Sequence, residues 1–266
     1  MVLPVGDRNP TRRRPYVTVT LIAANVAVFM AYNLQLPEPQ LTCFIYRWAA
    51  VPAELFDLHP ISPTQAPVQP ACLPAALAAK SVLLSTVTSM FLHGSLGHLL
   101  FNMLFLWIFG NNVEDDLGHG TYLLYYLVGG LVAVYAFALI NTDTTVPLLG
   151  ASGAIAAVLG GYLVLHPRAR IHTYVPFPLY LLVGLLPRAR ISGWFLIFAI
   201  VDLPAWLVLS FWFVTQLTAL AEATAGGEGV AYEAHIAGFV AGVVATLLLR
   251  ATGSTAPPRR GQPVHW

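Results

Sequence analysis

Long apolar runs, separated by short polar or proline-rich connections, make up most of this chain. The runs at 17–36, 87–109, 119–140, 151–166, 203–221 and 231–250 are each near the roughly 20 apolar residues that cross hydrocarbon, which predicts six transmembrane helices. A further apolar region, 171–201, is broken by Pro176, Pro178, Pro187 and Gly193. Its halves open alike, with Pro167-Arg168-Ala169-Arg170-Ile171 and Pro187-Arg188-Ala189-Arg190-Ile191, the pattern of a local duplication. Counting it as a span would carry Arg250, Arg259 and Arg260 to the side opposite the N-terminal arginines, against the positive-inside bias. It is therefore read as an extra interfacial or re-entrant hairpin between helices 4 and 5. The expected fold class is all-α: a polytopic membrane domain over 16–250, with cytoplasmic tails at 1–15 and 251–266.

Composition narrows this further. Of the 266 residues, 57% are hydrophobic and 9% charged, and the mean hydropathy is +0.70, which excludes an ordinary water-soluble domain. A net charge of +1 argues against nucleic acid as a partner, because phosphate binding needs a concentrated basic surface. The first apolar run follows Arg12-Arg13-Arg14 and lacks a small-residue cleavage site after it, so it reads as a retained span and not a signal peptide. With six spans, the inner side collects Arg8, Arg12, Arg13, Arg14, Arg168, Arg170, Arg188, Arg190, Arg250, Arg259 and Arg260. Only Arg47 and Lys80 fall outside. The expected setting is a bacterial-type plasma membrane, with both termini cytoplasmic. Cys43 and Cys72 share the long first outer loop, about 37–86, as either a disulfide or two thiols.

Polar residues inside spans cost free energy in lipid, so each is a candidate for function. His98 and Asn102 lie one turn apart near the start of the second span, in "HGSLGHLLFN". Ser152 opens the fourth span within "GASGAIAAVLGGY", and His235 opens the sixth within "AHIAG". In a six-span topology these three helices run in one direction, which places their first turns at one level. Small residues surround both Ser152 and His235, and Ala234, Gly238 and Gly242 recur every four positions, so the two helix backbones can approach closely. A short serine and a histidine then come within hydrogen-bond reach, as an activated nucleophile requires. His98, Asn102 and the free N–H groups at the start of the fourth helix can donate to a developing oxyanion. Gly150 and Gly153 are expected to leave backbone access for a substrate carbonyl. No carboxylate lies at the depth of His235, so the expected unit is a Ser-His dyad. His93, five residues before His98, is placed on a different face.

These motifs, in this order, resemble the rhomboid family of intramembrane serine proteases. The resemblance covers about 16–250, including "GNNVEDDLG" after the second span. It implies a six-helix bundle with a water-filled cavity, Ser152 as nucleophile, and His235 as general base and then acid. It further implies an oxyanion hole of His98, Asn102 and the Ser152 amide, other membrane proteins as substrates, and no metal or cofactor. Two positions depart from the pattern of some members. Leu84-Ser85 stands where a Trp-Arg pair anchors the first outer loop, and Ala156 stands where a tyrosine packs on the catalytic imidazole. The glycine-rich loop 221–229 is a candidate lid, and the fifth helix, with Trp206, Phe211, Trp212 and Phe213, a candidate lateral gate. The rival readings are a transporter or channel, which also uses broken apolar segments, and a rhomboid-like client-binding protein without catalysis. A zinc protease fits less well, because His93 and His98 lack the H-E-x-x-H spacing. The oligomeric state is left open by the sequence.

Overall fold

The structure is a computed structural model that describes residues 3–176, 191–192, 198–223 and 230–255. Among the described residues, five helices are long and apolar enough to cross a membrane: Tyr16–Asn33, Leu96–Leu117, His119–Ile140, Ala205–Glu222 and Tyr232–Ala251. We label the helices α1 (Tyr16–Val28), α2 (Glu38–Trp48), α3 (Leu73–Ala78), α4 (Val82–Thr88), α5 (Leu96–Phe105), α6 (Asn111–Leu117), α7 (His119–Ile140), α8 (Ser152–Leu165), α9 (Ala205–Ala223) and α10 (Tyr232–Ala251). Their outer faces expose large apolar side chains such as Leu100, Leu124, Leu139 and Leu248. A surface of this kind belongs in lipid, and the chain is a multi-pass membrane protein.

The run expected as the fourth span is α8, only 14 residues long. At 1.5 Å per residue it reaches about 21 Å, short of the hydrocarbon thickness. It sits at the centre of the bundle, with every residue from Gly153 to Tyr162 buried. Glycines explain how neighbours reach it. A β-carbon on Gly238 of α10 would lie 2.2 Å from the Gly153 carbonyl oxygen, and one on Gly242 would lie 2.0 Å from that of Ala157. One turn further, Gly161 faces the Thr246 hydroxyl. The partners advance by four residues on both helices, so α8 and α10 run parallel, backbone against backbone. The Tyr125 hydroxyl of α7 joins them, 2.8 Å from the Ala157 carbonyl and 2.9 Å from that of Gly242.

The segment at 171–201 departs from the all-α expectation. Its described parts are the strands β2 (Arg170–Pro176), β3 (Ile191–Ser192) and β4 (Phe198–Pro204), which join the N-terminal strand β1 (Leu3–Asp7) in an antiparallel sheet of order β1-β2-β4-β3. The physical reason is a period of two. Ile171, Thr173 and Val175 are buried while His172 and Tyr174 are half-exposed, and Ala199, Val201 and Leu203 alternate in the same way with Ile200 and Asp202. The N-terminal segment, expected as a plain tail, supplies an edge strand.

The second span also starts later than expected, at residue 96 and not 87, because Gly94 and Ser95 interrupt the chain after α4. The acidic "GNNVEDDLG" stretch holds helix α6, continuous with α5 through a wider turn at Leu106–Gly110. Its carboxylates cap the entry to α1. Glu114 accepts from the Val17 and Thr18 N–H groups at 2.8 Å each, and from the Thr18 hydroxyl at 2.7 Å. Asp115 accepts from the Arg12 and Arg13 N–H groups. Free N–H groups at a helix start attract acceptors of this charge.

The long connection 37–81 folds over the opposite end. Cys43 and Cys72 form a disulfide, which settles the alternative that the sequence left open. The side chains of Lys80 and Glu54, both fully buried, form an ion pair. The connection is tied to the α7–α8 loop by Leu148 N–H donating to the Ala50 carbonyl (2.7 Å) and Ala53 N–H to that of Thr144 (3.1 Å). These contacts hold the loop against the bundle.

Candidate active site

Three helix starts meet at this loop-covered end. The chain enters α8 through Gly150, whose φ of +124° is a conformation that L side chains rarely adopt. Its N–H donates to the Ser89 carbonyl at 2.9 Å. Ser152 follows as the first residue of α8, where backbone N–H groups lack intrahelical partners. The α5 start is set by Ser95, whose side chain accepts from the His98 N–H at 3.1 Å. His235 lies in the first turn of α10.

The Nε2 of His235 is 2.8 Å from the Ser152 Oγ, joining residues 83 positions apart. The His98 ring packs on Gly150: a β-carbon there would fall 2.7 Å from Cε1 and 2.8 Å from Nε2, and 3.7 Å from the Ser152 Oγ. Gly150 thus leaves the space that the imidazole fills beside the serine. Asn102 is buried, and its side-chain nitrogen has no hydrogen-bond partner among the described residues, so it is a donor left unused by the fold.

Two residues are placed differently from expectation. Gly153 gives no open access, because a β-carbon there would meet the Ala133 side chain of α7 at 2.6 Å. One residue along a helix rotates the side chain by about 100°, which carries position 153 to the packed face. His93 is fully buried with its ring centroid 5.0 Å from that of His98. The chain break at Gly94 brings together two rings that a continuous helix would hold apart.

Ala156 offers the His235 ring no aromatic neighbour from α8, and α9 supplies one. Trp212 packs at 6.2 Å between ring centroids, and the Gln216 Oε1 lies 2.8 Å from the His235 Nδ1. Tyr232 meets the same ring edge-on at 6.4 Å. Sequence reasoning missed Gln216, although an amide inside the fifth apolar run was the available signal. Of the candidate lid at 221–229, residues 224–229 lie outside the described residues.

A polytopic helical membrane protein with a serine and a histidine in hydrogen-bond contact at the end of its central helices is the class defined so far. Comparison with known sequences is more specific. A Rhomboid domain model matches residues 80–252, and the chain belongs to the rhomboid family. It is 32% identical over 157 residues to the zebrafish Presenilin-associated rhomboid-like protein A, mitochondrial, covering 58% of this chain and 34% of that one. It is 36% identical over 99 residues to the Rhomboid protein 1, mitochondrial, of Saccharomyces cerevisiae, covering 36% of this chain and 28% of that one. It is also 40% identical over 77 residues to Rhomboid protease GluP of Bacillus subtilis, covering 29% and 15% respectively. The matches span about a third or less of these relatives' length. The expected bacterial-type plasma membrane is corrected by this comparison, since matched relatives from fish, yeast and Arabidopsis thaliana are mitochondrial proteins. Arginine bias reports sidedness but not which membrane is crossed.

Proposed function

We propose that this protein is an intramembrane serine endopeptidase that cuts other membrane proteins in or next to a transmembrane segment. In this reading α8 is the sixth crossing of the bundle. The observation that carries it is the 2.8 Å contact between the Ser152 Oγ and the His235 Nε2 at the start of a buried helix. A hydroxyl so placed can lose its proton to Nε2 as its oxygen bonds to a substrate carbonyl carbon. The negative charge then developing on the carbonyl oxygen falls beside the α8 N-terminus, where the Ser152 N–H, His98 and Asn102 donate. The imidazolium returns its proton to the departing amine as the C–N bond breaks. Water, deprotonated by the same imidazole, hydrolyses the acyl-serine and restores the hydroxyl.

A helical substrate must unwind before its peptide bond can reach Ser152, so helix-weakening residues near the cut favour cleavage. Purified protein is incubated with a transmembrane reporter, beside Ser152→Ala and His235→Ala. Cleavage is expected in the wild type alone, with a fluorophosphonate probe labelling Ser152. Cleavage that persists in Ser152→Ala refutes the proposal.

A further inference from the structure

His235 has a second ring nitrogen, to which the proposed Ser152–His235 dyad assigns no partner. Here Nδ1 faces the Gln216 Oε1 at 2.8 Å. The orientation of that amide follows from its other end. The Gln216 nitrogen lies 3.4 Å from the Trp212 carbonyl and 3.3 Å from the Thr215 hydroxyl, both in its own helix. Reversing the amide would set its oxygen against the Trp212 carbonyl, two acceptors with no proton between them. Oε1 therefore points at the histidine and accepts, so Nδ1 carries the proton.

A neutral imidazole with its proton on Nδ1 has a free lone pair on Nε2. That is the nitrogen in contact with the Ser152 Oγ. The other tautomer would present a proton to the hydroxyl and could not take one. Gln216 is nine-tenths buried, so water does not compete freely for Nδ1. Its helix is seated by Trp212 and Phe213 against Phe239, at ring-centroid distances of 5.8 and 4.7 Å.

The geometry points to Gln216 as a positioning residue: from α9, it selects the His235 tautomer that lets Nε2 accept the serine proton and holds the ring in that direction. The inference rests on the proposed Ser152–His235 chemistry. It assigns the orienting task to a neutral amide, where a carboxylate would add a charge that a bilayer disfavours.

The test uses the full chain in detergent micelles or proteoliposomes, with Gln216→Met as an apolar replacement of similar length and Gln216→Glu as a replacement that keeps an acceptor. Fluorophosphonate labelling of Ser152 and cleavage of the transmembrane reporter are measured at constant pH. Gln216→Met is expected to slow labelling and lower kcat by about tenfold to a hundredfold, the range for losing a hydrogen bond to a group that becomes charged. KM should be unchanged, and Gln216→Glu should recover most of the rate. Wild-type labelling by Gln216→Met, or equal loss in both variants, overturns the assignment. Histidine nitrogen NMR of the unmutated protein is independent of how the variants fold: the Nδ1–H tautomer at His235 supports the inference, and the Nε2–H tautomer overturns it. If Ser152→Ala labels as the wild type does, the protease reading itself fails. Loss in Ser152→Ala combined with no loss in Gln216→Met removes only the part given to Gln216.

Discussion

Replacing Lys80 by Met should destabilise the protein far more than loss of an ordinary surface ion pair. Lys80 and Glu54 are both 0% exposed in their side chains, and Glu54 also accepts from the Ile61 N–H at 3.0 Å. Burial pulls the Lys80 ammonium below its usual pKa, opposed by the neighbouring carboxylate. In Lys80→Met the carboxylate remains inside without its counter-charge. Breaking a buried pair from one side costs about 3–5 kcal/mol, whereas exposed pairs are worth about 0–1 kcal/mol. The double variant Lys80→Met with Glu54→Gln removes both charges, and the glutamine oxygen can still accept from Ile61. It should regain at least half of the loss. The assay is reversible unfolding in dodecyl maltoside micelles titrated with sodium dodecyl sulfate, followed by circular dichroism for the wild type, both single variants and the double. A single Lys80→Met variant within about 1 kcal/mol of wild type, or a double variant no better than that single, would refute the reasoning.

Two other perturbations probe the bundle itself. Gly242→Val places a branched side chain where even a β-carbon would lie 2.0 Å from the Ala157 carbonyl oxygen, so α10 must move off α8; we expect loss of Ser152 labelling together with a lowered melting temperature, and normal labelling would contradict the close crossing. Glu114→Gln keeps one acceptor but turns the other oxygen into a donor facing the start of α1, where Val17 and Thr18 now donate to the carboxylate. Loss of these charge-assisted bonds should cost about 2 kcal/mol, read as a lower midpoint in the same detergent titration.

Much of the architecture was legible along the chain, for reasons tied to particular residues. The third, fifth and sixth apolar runs became α7, α9 and α10 nearly residue for residue, because a long uninterrupted apolar stretch has one stable form in lipid. The four-residue spacing of Ala234, Gly238 and Gly242 already marked the face on which α10 meets α8. At 171–201, the prolines directed attention to a broken helix while the alternation of Ile171, Thr173 and Val175 carried the stronger signal. Pairing with β1 at the far N-terminus could not be read locally.

By itself, the sequence determined which segments avoid water and which polar groups lie among them, since hydropathy and residue spacing are properties of neighbours along the chain. It also determined that Ser152, His98 and His235 each stand near the start of an apolar helix. Only the tertiary structure decided that a hydroxyl and an imidazole 83 residues apart stand at 2.8 Å, that Gly153 faces α7, and that Gln216 reaches Nδ1 from a helix of its own. Such contacts depend on how helices rotate and cross, and crossing is set by the volumes of side chains on both partners at once, which no single segment encodes.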